Sequence, residues 1–224
     1  MFNWKSNNSI QYVPPNKSNQ PKNNAKKYAS SLIKSEFDRT NSDLNEDYKK
    51  ILDNGCFYLP NFFCSTLDKT IFNSLKTDLT NYNSELVKWN KHSKYENPEF
   101  STTFNNIVKK IADHFNVDVY QTRLNYYNNG LDFKTMHRDS HAYGEKALRE
   151  NITVGASFGD PRELQFLHEK SGKKFSFPQN NGDVFAFTSD INNKFLHGVP
   201  KTNAKIGPRF SIIVWGRGPD KIQI

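Results

Sequence analysis

His137 and Asp139 are separated by a single residue, Arg138. In an extended chain successive side chains alternate faces, so this imidazole and this carboxylate project side by side. His197, within Phe-Leu-His-Gly-Val-Pro, offers a second imidazole. Two imidazoles and one carboxylate hold a ferrous ion while leaving positions open for a co-substrate and oxygen. All three ligands must be deprotonated, so metal binding weakens as pH falls. Arg209 follows in a run rich in β-branched and aromatic residues that suits a strand. Its planar guanidinium can grip a carboxylate through two parallel bonds. The ordinary alternative is a buried ion pair, but Ser211, Ile213 and Trp215, which share its face, offer it no acid.

Other motifs stand in order around these residues. Asn125-x-Tyr127 precedes the His-x-Asp, with Gly130 and Asp132 between, and Ser157-Phe158-Gly159 and Gly182-Asp183 come before His197. Together, over about residues 117–217, they resemble the AlkB family of iron(II)- and 2-oxoglutarate-dependent dioxygenases. The resemblance implies that His137, Asp139 and His197 bind iron(II) and are catalytic. It implies that Arg209 pairs with the distal carboxylate of 2-oxoglutarate, with Ser211 on the same face, and that Asn125 and Tyr127 hydrogen-bond the same molecule. The implied reaction consumes O2 and 2-oxoglutarate and releases an N-methyl group as formaldehyde, a DNA-repair type of demethylation on single-stranded or flipped-out bases. Two rival readings stay open: the same chemistry on a protein side chain or small molecule, and a silent nucleic-acid-binding module.

Three features depart from the family pattern. The second Arg expected six residues after Arg209 is Trp215, with Arg217 two further on. Ser140 and His141 occupy the positions where an acid often reads the damaged base, and the usual lid motif is absent.

The elements that must position these residues are read from periodicity. A helix is expected over residues 43–53 and a buried strand over 56–63. A helix capped by Ser65 should follow, with Leu67, Ile71, Phe72, Leu75 and Leu79 on its apolar stripe. Residues 83–99 lack a clear period and read as a loop or lid, in which Trp89 and Tyr95 offer flat faces for stacking a base. A second helix should begin after Ser101, burying Phe104, Ile107, Val108, Ile111 and Phe115. Short strands broken by turns then argue an antiparallel β architecture. The family implies its form: an α+β, mainly β double-stranded β-helix (jelly-roll) core with N-terminal helices packed on one sheet.

The 224 residues suit one domain with appendages, and the net charge is +8. Mean hydropathy of −0.80 is low for a compact domain, and the first forty residues explain it, with seven Lys/Arg against two acids and no period. The expected organisation is a disordered basic tail over 1–42, N-terminal helices and lid over 43–116, and the catalytic core over 117–224. Two cysteines are too few for a disulfide scaffold, and no apolar run approaches a membrane span. An intracellular monomer, cytoplasmic or nuclear, is expected.

Overall fold

The computed structural model describes residues 55–81, 87–89, 91–170, 172 and 174–220. The basic tail and the helix expected over 43–53 lie outside these residues. The fold is a mainly antiparallel double-stranded β-helix of jelly-roll type. Its larger sheet runs in the order β1 (Cys56–Leu59), β9 (Val184–Thr188), β6 (Ile152–Gly159), β11 (Arg209–Arg217), β4 (Asp118–Tyr127), β3 (His92–Glu96) and β2 (Val87–Trp89). The smaller sheet runs β5 (Lys134–His137), β10 (Phe195–Val199), β7 (Arg162–His168) and β8 (Lys174–Gln179).

Helices α1 (Thr70–Asn81) and α2 (Thr102–Phe115) cover the outer face of the larger sheet. The five residues expected on the α2 stripe are all buried, and the Ser101 side chain accepts from the Phe104 N–H at 3.1 Å. Helix α1 starts later than the sequence reading expects. Asp68, rather than Ser65, accepts the Thr70 N–H at 2.9 Å, which leaves Leu67 outside the helix and 90% exposed. Asp78 of α1 accepts from Ser101 Oγ and from the Thr103 N–H, so one carboxylate fixes α1 against the start of α2.

The strand expected over 56–63 ends at Leu59. The stretch expected to be an irregular loop is instead the β2–β3 hairpin, paired to β4. Residues before 117 thus contribute three of the seven strands of the larger sheet.

Between the sheets, Phe166, Phe175, Phe177, Phe185, Phe187 and Phe195 form an aromatic core. Burial of each such ring contributes about 1.5–3 kcal/mol. The rest of the gap between the sheets is a cavity lined from both sides. The Gly182-Asp183 motif does structural work beside that core: the Asp183 carboxylate accepts from the Tyr58 hydroxyl at 2.6 Å and the Asn61 N–H at 2.9 Å, tying β1 to the turn before β9.

Candidate active site

Strand pairing assembles the three candidate metal ligands. His137 on β5 lies opposite His197 on β10, and Asp139 follows just beyond the end of β5. Gly198 permits the close approach, because a Cβ there would sit 2.7 Å from the Lys134 carbonyl oxygen. His137 Nε2 and His197 Nε2 each lie 3.6 Å from Asp139 Oδ1, and one ligand atom from each residue falls within 4.8 Å of the others.

The surroundings orient these ligands. His137 Nδ1 donates to the Thr135 carbonyl at 2.9 Å, which leaves the Nε2 lone pair directed toward Asp139. Thr153 Oγ1 donates to Asp139 Oδ2 at 2.8 Å, while buried Asn192 bonds both the N–H and the carbonyl of Asp139. Burial alone would raise the Asp139 carboxyl, but the two imidazoles hold it well below the usual carboxylate range. Burial pushes His197 down, toward the neutral form that a metal ligand needs. Arg138 points away, to Glu169 and the Asn193 carbonyl.

Thr153→Val keeps the side-chain shape and removes the hydroxyl. It is expected to weaken iron(II) binding roughly 10- to 100-fold. An anaerobic iron titration checks this, and unchanged affinity would mean that the Thr153 bond does not tune the site.

Arg209, next to the cavity-lining residues Tyr127 and Gln179, is 1% exposed. Its Nε donates to Ser157 Oγ at 2.8 Å and Nη2 donates to Gln179 Oε1. Nη1 has no hydrogen-bond partner, and no carboxylate pairs with the side chain among the described residues. Burial pushes this guanidinium down to about 10, against the favourable influence of Tyr127. A buried cation with an unused donor is complementary to an entering carboxylate.

Tyr127 is held in place by three neighbours. His92 stacks on its ring at 5.0 Å, and Arg209 and Arg162 lie 5.2 and 5.4 Å from it. Arg162 in turn donates to the carbonyls of Asn129, Asp132 and Pro200, and so latches two loops. His92 Nε2 lies 3.1 Å from Asn125 Oδ1. Burial, reinforced by Lys134, pushes His92 down to about 4, so it meets Asn125 as a neutral ring.

The cavity therefore brings together His137, Asp139, His197, Asn125, Tyr127 and Ser211, with Arg209 buried behind its wall and bonded to the lining residue Gln179. Sequence reasoning gave no site role to His92, Thr153 or Gln179, and left Arg162 open between a local ion pair and the pocket rim. Of these, only His92 carried a local signal, since it lies on the cavity side of a polar strand that alternates His92, Lys94, Glu96.

Tyr95 does not stand over the site. It lies opposite core residue Leu124, so it shares the helix-covered face, where its ring packs on Phe100 at 5.2 Å. Arg217 ends β11 exposed, beyond a register shift, with Asp220 3.9 Å away. The Trp89 side chain lies outside the described residues.

Comparison with known proteins follows this geometry. The model of a family described as the 2OG-Fe(II) oxygenase superfamily matches residues 75–217. No curated protein matches the sequence. Among solved structures, a prolyl-4-hydroxylase from Pseudomonas putida is similar with a TM-score of 0.54 at 14% identity, over 76% of this chain and 96% of that one. The alpha-ketoglutarate-dependent epimerase SnoN of nogalamycin biosynthesis gives 0.54 at 12%, over 73% and 79%. The viral collagen prolyl hydroxylase vCPH of Paramecium Bursaria Chlorella virus-1 gives 0.51 at 13%, over 73% and 96%. At these identities the likeness concerns the fold.

Proposed function

Because the family match spans well over half of the chain, this protein belongs to the 2OG-Fe(II) oxygenase superfamily, and on that premise we propose that it is an AlkB-like dioxygenase that removes N-alkyl groups from nucleic-acid bases. Members of the superfamily use iron(II), 2-oxoglutarate and O2. His137, Asp139 and His197 are the proposed iron ligands, and their donor set suits that ion. Arg209, oriented by Ser157 and Gln179, takes the distal carboxylate of 2-oxoglutarate through its unpartnered Nη1. Asn125 and Tyr127, steadied by His92, bound the same molecule from β4.

When bound, the iron centre supplies the oxidising chemistry that puts one oxygen atom of O2 on the N-methyl carbon and the other into succinate, with loss of carbon dioxide. The N-hydroxymethyl product then breaks its C–N bond, leaving formaldehyde, while the ring nitrogen regains its proton or lone pair. Phe185, Phe187 and Leu164 give this region apolar walls, which disfavour water there.

The observation that carries the nucleic-acid reading is the positive charge in and beside the cavity. Arg123 and Lys134 line it, and Lys94 lies on the same face of the hairpin. Exposed Lys91 bonds the neighbouring Phe133 N–H through its carbonyl, and Lys201 sits 4.8 Å over the Phe133 ring. Glu96 neutralises only part of this set, through Lys94 and Arg123. Such a field draws in a polyanion.

Binding of a short single-stranded oligonucleotide to the full chain is expected to weaken linearly in log-log terms as salt rises. Lys91→Glu together with Lys201→Glu should weaken binding and flatten that dependence. Absent or salt-insensitive binding would contradict the reading and favour a protein side chain or small molecule as substrate.

A further inference from the structure

With the residues proposed for iron and 2-oxoglutarate set aside, together with Thr153 and Gln179 that support them, the polar side chains left lining the cavity are Arg123, Lys134 and Trp215. All three are donors and none can accept, and two are cations. They lie at the iron end of the cavity. Trp215 stands opposite Thr153, whose hydroxyl bonds Asp139, and Arg123 stacks 4.9 Å over the Trp215 ring. Trp215 is 5% exposed and its indole N–H has no partner.

Acceptors in this neighbourhood are already committed. Asp139 is a proposed iron ligand. The Glu96 oxygens take Arg123 Nε at 2.9 and 3.0 Å and Lys94 Nζ at 2.7 Å. Half-buried Lys134 faces Arg123 and Lys94, with Asp139 and Glu96 as the opposing acids.

Among the described side chains, this end of the site therefore offers hydrogen bonds to a carbonyl and no uncommitted acceptor to an amino group, and its charge repels a cationic base. N-methylated bases divide along the same line. 3-Methylthymine is neutral and carries a carbonyl on each side of the methylated nitrogen. 1-Methylguanine is neutral with one such carbonyl. 3-Methylcytosine and 1-methyladenine are positively charged at neutral pH and present an amino group beside the methylated nitrogen; 3-methylcytosine and 1-methylguanine each have one carbonyl and one amino group there, so those two differ in charge alone. Resting on the nucleic-acid reading above, we infer that this site selects neutral, carbonyl-flanked N-methyl bases, with 3-methylthymine the best fit, over the cationic pair.

A site built to hydrogen-bond a substrate discriminates strongly against analogues that leave its polar groups unpaired. The reaction is otherwise the same for all four bases. The C–N bond breaks, formaldehyde leaves, and a neutral lesion's ring nitrogen takes up the proton that the hydroxyl gives to solvent.

The test uses four single-stranded oligonucleotides that differ only in the central methylated base, with iron-loaded protein, 2-oxoglutarate and mass-spectrometric detection of the demethylated base. The kcat/KM for 3-methylthymine should exceed that for 3-methylcytosine and 1-methyladenine at least about tenfold, with 1-methylguanine between. Trp215→Phe keeps a ring beneath Arg123 and removes the N–H, so it should narrow the ratio. Lys134→Met removes a cation from the other sheet and should raise the relative rate on the cationic bases, independently of how well the Trp215 variant folds.

Equal rates on the four bases, a preference for the cationic pair, or a ratio that neither variant moves would overturn the inference. Conversion of none of the four, with 2-oxoglutarate turnover intact, would instead overturn the nucleic-acid reading, and the inference with it.

Discussion

His137→Ala is expected to abolish 2-oxoglutarate turnover. The imidazole is one of three candidate ligands among the described residues, and its Nε2 is aimed toward Asp139 by the bond from Nδ1 to the Thr135 carbonyl. Loss of an outer hydrogen-bond partner costs a metal site roughly 10- to 100-fold in affinity or activity. Loss of a ligand itself should exceed that and bring succinate formation below detection. The fold should survive, because His137 is only partly buried at the end of a strand and the buried Asp139 carboxylate keeps His197 and Thr153 beside it. Succinate assay of the purified variant, with its thermal melt as a control for folding, checks both halves. A folded variant with ordinary turnover would remove His137 from the site.

Arg209→Gln is expected to act on 2-oxoglutarate binding. Removing one partner of a buried, hydrogen-bonded charge pair costs about 2–5 kcal/mol, or roughly 30- to several-thousand-fold in affinity. The apparent KM for 2-oxoglutarate should rise within that range, while iron(II) affinity changes little, because Arg209 contacts Ser157, Gln179 and Tyr127 rather than the ligand triad. The effect on folding has the opposite sign. In the free protein this guanidinium is buried with no carboxylate among the described residues, and burial pulls it down to about 10. Replacing such a charge with a neutral side chain should leave the melting temperature of the 2-oxoglutarate-free protein unchanged or higher. A lower melting temperature with unchanged KM would show that Arg209 is a structural ion rather than a co-substrate anchor.

The grouping of the candidate site residues was legible because their spacing obeys strand alternation. His137 and Asp139, Asn125 and Tyr127, and Arg209 and Ser211 each stand two apart; all but Arg209 line one cavity, and Arg209 bonds Gln179 in its wall. Helix α2 was legible because its apolar stripe and its Ser101 cap are local features.

The β2–β3 hairpin was not legible, for a physical reason. Periodicity detects apolar residues facing a core, whereas β3 turns His92, Lys94 and Glu96 toward a polar cavity. Its alternation is therefore hidden, and Tyr95 looked free to meet a base when it packs on Phe100. The start of α1 was misplaced because Ser65 and Asp68 are both competent caps in sequence. Asn181, distant in the chain, bonds the carbonyls of Ser65 and Asp68 and helps fix the turn that precedes the helix. Gln179, Thr153 and Arg162 reach the site only through pairing of strands far apart in sequence, which leaves no local trace.

Succinate formation by the iron-loaded protein, with an N-methylated single-stranded oligonucleotide, its unmodified twin or neither, and with His137→Ala as the blank, tests the central claim most directly. Stimulation by the methylated strand alone is the predicted result. Turnover above the blank that both strands leave unchanged would contradict nucleic-acid demethylation, and turnover no greater than the blank would contradict the oxygenase site itself.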